Sequence, residues 1–527
     1  MKTQFPNIPE DQKTPLVQIL LQFIQEQAEE ISLLKDEIAK LKGQKPRPKL
    51  KKSKTADDAK NKSKNQGSEN DSHCAKSRRS PRKEQRIIQP ENLPAGSIFK
   101  GYEDYHVQDL RIESVEIQFR LAVYLGPDGS RIRGVLPSEY QQGHFSAELI
   151  AYCLSQYHQC HVTEPLLLEQ LYEIGIDMSS AQLSNILTQN KNLFHEEKQE
   201  ILKADIAYSE FLNADDTGAR HDGKNGYCTA IGSPLFTYFE STESKSRINF
   251  LKVLQGQKEF YAITEESLNY AFDQGISTKT LELLEKHENK KFRNAKHWEE
   301  FLKGRKILSK KDYKTATEAA LLGRSLNNGL NPNLITLSDG AGQFALFIHA
   351  LCWVHEERHY RKLIAVSKVE EAEIEAIRSE IWGFYETLKT YKQHPTVVQE
   401  AELSKQFDRI FGKVYESQRL NLLVKHTRSR KKGLLEVLKN PFLPLHNNDC
   451  ERDIREYVKR RKISLSTRSE AGRRARDTFT SLKKTCKKLG VAFWEYLRDR
   501  LVNGGQIPRL AYLIKIKSQG LFTHQTA

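Results

Sequence analysis

From Tyr208 onward the apolar residues stop recurring at helical spacing and fall into short runs separated by tight turns; no other stretch limits the possible folds as much. Phe211 to Asp216, Tyr227 to Ile231 and Leu235 to Glu240 read as three strands. Their connectors, His221-Asp222-Gly223-Lys224-Asn225-Gly226 and Gly232-Ser233-Pro234, are short and turn-rich, as an antiparallel meander requires. A helix is expected from about Ser246 to Leu254. A fourth apolar run, Leu334 to Leu337, ends at Ser338-Asp339-Gly340.

Three antiparallel strands, a helix and a further strand follow the ribonuclease-H-like order. In that order Asp215, late in the first strand, and Asp339, just after the fourth, come together because their strands are neighbours. Glu451 lies in His446-Asn447-Asn448-Asp449-Cys450-Glu451-Arg452, where Pro444 and the Asn pair mark a loop entering a helix with Ile454, Tyr457 and Val458. A glutamate there completes a three-carboxylate site. Hard divalent cations take oxygen ligands, and a paired-metal site activates a water or a 3′-hydroxyl while stabilising the leaving oxygen. Asp215, Asp339 and Glu451 are therefore the expected catalytic residues and the expected ligands of Mg2+ or Mn2+, two ions in number. The chain holds 68 Asp and Glu, most of them expected to be solvated, so placement beside a strand or a helix start is what separates these three.

At 527 residues the chain is long enough for two to four domains. No apolar run approaches the length that crosses a bilayer, which argues against a membrane partner. The net charge of +15 points to a polyanion, and two segments hold it. Lys42 to Arg86 carries 16 Lys or Arg against 5 Asp or Glu, and Arg452 to Lys488 carries 14 against 4. Confined patches suit a phosphate backbone; the competing reading is a basic tail and a solvated helix face. The 7 cysteines have no Cys-x-x-Cys spacing and the first residues have no apolar signal region, which fits a cytoplasmic, reducing compartment. No Walker-type phosphate loop is present, so an ATP-driven motor is not expected.

Val17, Ile24, Ile31 and Ile38 repeat every seven residues, with Leu20, Leu34 and Leu41 in the second heptad position, and predict a coiled coil over 1–42 through which the chain self-associates. Residues 43–86 read as a basic disordered linker and 87–140 as a small β-rich element. Residues 141–205 read as helical, and Leu166 to Ile174, Gly175 and Ala181 to Leu187 have helix-turn-helix proportions, compatible with DNA binding or with plain helix packing. Cys153, His158, Cys160 and His161 lie on one helical stretch that cannot set four side chains tetrahedrally, so zinc is not expected there. Residues 206–500 then form the catalytic domain, with insertions at 256–333 and 356–446, and 501–527 a tail. The expected class is a multidomain α+β chain: coiled coil, helix-turn-helix-like region, and ribonuclease-H-like α/β core with helical insertions.

Four stretches together resemble a transposase of the insertion-sequence-66 family, the large protein of bacterial elements. They are Ala214-Asp215-Asp216-Thr217; Ser338-Asp339-Gly340; Leu351-Cys352-Trp353-Val354-His355 with Arg358; and Asn447-Asn448, Glu451-Arg452 through Arg461-Lys462. The resemblance implies a D-D-E transposase: metal-dependent cleavage at element ends and strand transfer of the 3′-hydroxyl into target DNA, in a bacterial, nucleoid-associated setting. Element-encoded accessory proteins are among the partners it suggests. Asp216 stands where the family has Glu, Leu351 where it has Gly and His446 where it has Asp; of the family's cysteine-rich zinc element only His73-Cys74 remains, and no zinc finger is expected. Arg452, Arg455, Lys459, Arg460, Arg461 and Lys462, on or near one helix beside the presumed metal site, form an expected phosphate track, with a solvated basic surface as the alternative. Two other functions stay open: a catalytically inactive, transposase-derived DNA-binding regulator, and a ribonuclease-H-like nuclease.

Overall fold

A computed structural model describes residues 85–523, apart from 86, 90–96, 98, 101, 104, 108, 142, 257–258, 308 and 347. The expected coiled coil and, but for residue 85, the basic linker lie outside the described residues. The described residues divide into two units, one of residues 85–193 with 486–509, the other of 194–485 with 510–523.

In the smaller unit the β element is shorter than expected. Only β1 (Val123–Leu125) and β2 (Arg131–Arg133) pair, around the Gly126 to Ser130 turn. Three helices follow: α1 (Ala147–His158), α2 (Glu164–Glu173) and α3 (Ser180–Thr188). Gly175, at φ 82°, makes the turn between α2 and α3 in a conformation that favours glycine, and Ser179 with Gln182 forms a capping box at the start of α3. Cys153 and His158 are buried on α1, where burial pushes the Cys153 thiol up to about 12. The helix Phe493–Val502 packs on α1 through Trp494, whose ring meets Tyr152 at 6.0 Å. Residues 486–500 thus fold with this unit, although the catalytic segment was expected to run to 500; the apolar face formed by Phe493, Tyr496 and Leu497 is what buries them.

The larger unit opens with α4 (Asn192–Tyr208) and the meander β3 (Phe211–His221), β4 (Lys224–Gly232) and β5 (Thr237–Thr242). The β3–β4 hairpin closes on Asp222 and Gly223, both at positive φ, as an Asp-Gly two-residue turn requires. Helix α5 (Arg247–Leu254) starts where expected, with Ser246 as its cap. Within 256–333, where an insertion was expected, β6 (Tyr261–Ala262) pairs with β7 (Lys291–Phe292), and around them lie α6 (Glu265–Asp273), α7 (Thr278–Glu285), α8 (Ala295–Gly304) and α9 (Lys310–Asn327). Helix α9 packs on α5, α6 and β6.

Strands β8 (Ile335–Ser338) and β9 (Ile348–Leu351) then complete a mixed five-stranded sheet of order β5-β4-β3-β8-β9, antiparallel through β5, β4 and β3 and parallel from β3 to β9. β8 (sequence Ile-Thr-Leu-Ser) is buried along its length, which explains why it reads as a mostly apolar run without strict alternation of charged residues. After β9 come α10 (Trp353–Lys362), α11 (Lys368–Tyr391), α12 (Val397–Ile410), α13 (Gln418–Ser429), α14 (Lys431–Leu434) and α15 (Glu436–Lys439). The two apolar faces legible in the sequence of this insertion, one with Ile374, Ile377 and Ile381 and the other with Leu403, Phe407 and Ile410, meet in one core around Trp353. Helix α16 (Asn448–Ser464) lays Cys450, Ile454 and Tyr457 on Cys228, Ala230 and Phe239 of the sheet. α17 (Glu470–Leu489) precedes the helix already described, α18, and α19 (Leu510–Thr523) is helical where a tail was expected, with Leu510 and Ile514 buried.

Candidate functional site

The central strand β3 sets the site. Its parallel register with β8 matches Asn213 to Leu337, so two residues further along Asp215, still within β3, and Asp339, just past the end of β8, stand at the same level and on the same side. Asp215 Oδ1 accepts the Asp216 amide at 2.7 Å. Burial, and after it the nearby carboxylates of Asp339, Asp216 and Glu451, push Asp215 up to about 7 although the amide bond pulls the other way. The structure therefore brings the three acids into one electrostatic neighbourhood.

The turn after β8 is tightly specified. Gly340 has φ 96°, and a side chain there would run into the Arg430 guanidinium, which donates to the Asp339 carbonyl at 3.3 Å and pairs with buried Glu356 at 2.8 Å. Ser338 Oγ lies 2.7 Å from His349 Nε2, and burial pushes His349 down to about 4. Asp216, beside Asp215, accepts Thr229 Oγ1 at 2.6 Å and Gln343 Nε2 at 2.9 Å. Arg247 of α5 donates to the Gly342 carbonyl at 2.7 Å, tying the same turn to the preceding helix.

Glu451 sits in the first turn of α16, where a carboxylate favours the helix N-terminus. Buried Asn447 fixes that terminus, with Nδ2 donating to the Ala214 carbonyl at 3.1 Å and its backbone N–H meeting Cys352 Sγ at 3.2 Å. The Glu451 carboxylate itself faces α10: Oε1 is 3.1 Å from Arg358 Nη2 and 3.3 Å from His355 Nε2. Arg358 Nη1 lies 2.9 Å from His355 Nε2, and burial first, then Arg358, holds His355 below its ordinary pKa. The sequence had shown His355 and Arg358 as parts of a motif without a role; nothing in their spacing revealed that they meet Glu451, a residue 93 positions from Arg358.

Hard carboxylates such as Asp215, Asp339 and Glu451 fit divalent cations such as Mg2+ in donor chemistry, and Asp215 crowded by like charges is a group that such an ion would relieve. Among the described residues, however, no three His, Cys, Asp or Glu side chains are grouped closely enough to hold an ion as they stand.

The expected phosphate residues divide by exposure. Arg452, Arg455, Lys459 and Lys462 are exposed on α16, Arg461 is half-buried and donates to the Gly218 carbonyl, and Arg460 is buried. Further on, Arg476 is also buried, bonded to the Leu465 carbonyl and Ser464 Oγ at 3.0 Å each. No described helix is long and apolar enough to cross a membrane.

The Asp215 environment has a measurable consequence. A folded-state pKa near 7, above the ordinary aspartate value, means that protonation favours the folded chain; that stabilisation is complete below about pH 4 and is lost as pH rises through 7. Urea titrations are thus expected to show Asp215→Asn gaining on the wild type between pH 5 and pH 8. An unchanged difference between the two pH values would mean that Asp215 does not titrate in this window.

Residues 338–475, which include Asp339 and Glu451, match the family model described as Transposase IS66 family. The chain is 38% identical over 321 residues to the uncharacterized protein y4jO of Sinorhizobium fredii, covering 100% of that protein and 60% of this chain. It is also 26% identical over 165 residues to the uncharacterized protein y4qI of the same organism, spanning 30% of that protein's length and 29% of this chain. The chain belongs to the IS66 transposase family.

Proposed function

We propose that this chain is a D-D-E transposase with a ribonuclease-H-like catalytic core, which cleaves DNA at the ends of its element and joins the freed 3′-hydroxyl to target DNA. The observation that carries this reading is the β3–β8 register, which sets Asp215 and Asp339 level on neighbouring parallel strands, with Glu451 in the first turn of α16 near enough for its charge to act on Asp215. In it Asp215, Asp339 and Glu451 would hold Mg2+ or Mn2+, two ions, whose Lewis acidity would serve in-line displacement at a phosphorus centre.

This chain's own residues do the rest. Asn447 positions the helix that presents Glu451, and Arg430 with the Ser338–His349 pair shapes the turn that presents Asp339. Arg452, Arg455, Lys459 and Lys462 offer an exposed track for the DNA backbone, which binds without sequence preference and weakens with salt. The unit of α1 to α3 is the proposed reader of element ends. Self-association through residues 1–42, accessory element-encoded proteins and a cytoplasmic, nucleoid-associated setting belong to the same proposal.

The test is Mg2+-dependent cleavage and joining of labelled DNA carrying the element's own ends. Joined products support the transposase. Binding without cutting favours a DNA-binding regulator, and cutting without joining, on hybrids or branched DNA alike, favours a nuclease.

A further inference from the structure

Glu451 differs from its two partner acids in being held by cations. Arg358 lies 3.1 Å from Oε1 and donates to Oε2 at 3.4 Å, and its second guanidinium nitrogen reaches His355 at 2.9 Å. Arg455, one turn along α16, is more distant at 3.8 Å and mostly exposed. Among the described residues Glu451 is the one acidic partner of Arg358, and the Arg358 side chain is 33% exposed against 17% for Glu451. The Arg358 side chain is thus the more accessible of the two. Moreover, Glu451 Oε1 is buried and makes no hydrogen bond of good geometry despite the two nitrogens beside it. This carboxylate is held by charge, in a contact that can be exchanged.

A guanidinium fork matches a phosphate as well as it matches a carboxylate, so a DNA phosphate arriving at this end of the sheet competes with Glu451 for Arg358. Resting on the functional reading above, we propose that Arg358 is a latch. In DNA-free protein it holds Glu451 away from Asp215 and Asp339; when DNA binds, Arg358 passes to a backbone phosphate and Glu451 joins the aspartates. A buried carboxylate deprived of its cation is costly, and a divalent ion shared with Asp215 and Asp339 offsets that cost. DNA binding and metal binding are then coupled, and the coupling is reciprocal. The pairing also accounts for the absence of a closed ion site among the described residues: the third acid is engaged elsewhere.

The test titrates Mn2+ into the full chain and follows free Mn2+ by electron paramagnetic resonance, with and without an end-bearing duplex, the DNA's own binding being subtracted. The wild type is expected to bind Mn2+ about tenfold more tightly with DNA present. Arg358→Gln is expected to bind Mn2+ more tightly than wild type without DNA and to gain less than about threefold from DNA, well below the coupling of the intact latch. Arg358→Lys, which keeps the charge without the fork, is expected to restore part of the coupling and also controls for misfolding. If Arg358→Gln shows wild-type affinity and wild-type coupling, the latch is wrong. If it binds Mn2+ more weakly in the absence of DNA, Arg358 steadies Glu451 for the ion and the proposal is overturned in the other direction. The functional reading fails separately: Asp215→Asn and Glu451→Gln would then leave Mn2+ binding unchanged with or without DNA.

Discussion

Asp215→Asn, Asp339→Asn and Glu451→Gln are each expected to bind end-bearing DNA and to lower strand transfer on the order of 10³-fold or more, about 4 kcal/mol of barrier. Each change keeps the side chain's shape and removes the charge that a divalent ion needs. The fold has no reason to fail in these variants. Asp215 is already pushed toward its neutral form by burial and by its acidic neighbours, so the amide relieves repulsion in the folded chain. Glu451→Gln loses the pairing with Arg358, yet an amide still accepts a hydrogen bond from it. Gel assays of cleavage and joining, beside filter binding of the same DNA, separate chemistry from binding. A variant that keeps full strand transfer removes its residue from the metal site, and loss of DNA binding in parallel with activity would place that residue's role in recognition.

Trp353→Ala is expected to destabilise the helical insertion by about 3–5 kcal/mol, the usual cost of truncating a buried tryptophan. Trp353 is 1% exposed, packs edge-on against Phe384 and Phe407, and donates its indole N–H to the Leu434 carbonyl at 2.9 Å. Its backbone N–H meets the Leu445 carbonyl at 3.0 Å, just before the loop that leads to Glu451. The substitution therefore leaves a cavity and an unpaired carbonyl where β9 hands over to α10. Amide hydrogen exchange across residues 353–439 measures the local opening free energy directly, without assuming that the whole chain unfolds in one step. Because His355 and Arg358 lie within a turn and a half of Trp353, the variant is also expected to lose strand transfer out of proportion to its DNA binding. Protection unchanged from wild type would mean that this core does not hold the insertion together.

Much of the site was legible because local rules decide it. The Asp-Gly turn, the alternation between short apolar runs and turns, and the mostly apolar run before Asp339 each follow from backbone chemistry over fewer than about ten residues. The Ser246 cap and the helix after it were readable for the same reason. The exposure of the basic face was not. Arg460 and Arg476 carry the same charge as their neighbours, but one is turned into the core and the other is bonded to the chain at Leu465 and Ser464. The short pairing of β1 with β2 fell below expectation as well: within the β-rich element expected over 87–140, only three residues on each side find a partner strand, and pairing is a property of two segments.

The amino-acid sequence by itself determined the order of strands and helices, and with it an acid on the first strand, one just after the fourth and one at a helix start, since periodicity, turns and caps act between near neighbours. Only the tertiary structure decided that Glu451 faces Arg358 and His355, that Asn447 ties α16 to β3, and that residues 486–509 fold with α1 rather than with the sheet. Those are contacts between groups far apart in the chain. They depend on how buried faces meet, and no local pattern encodes the partner.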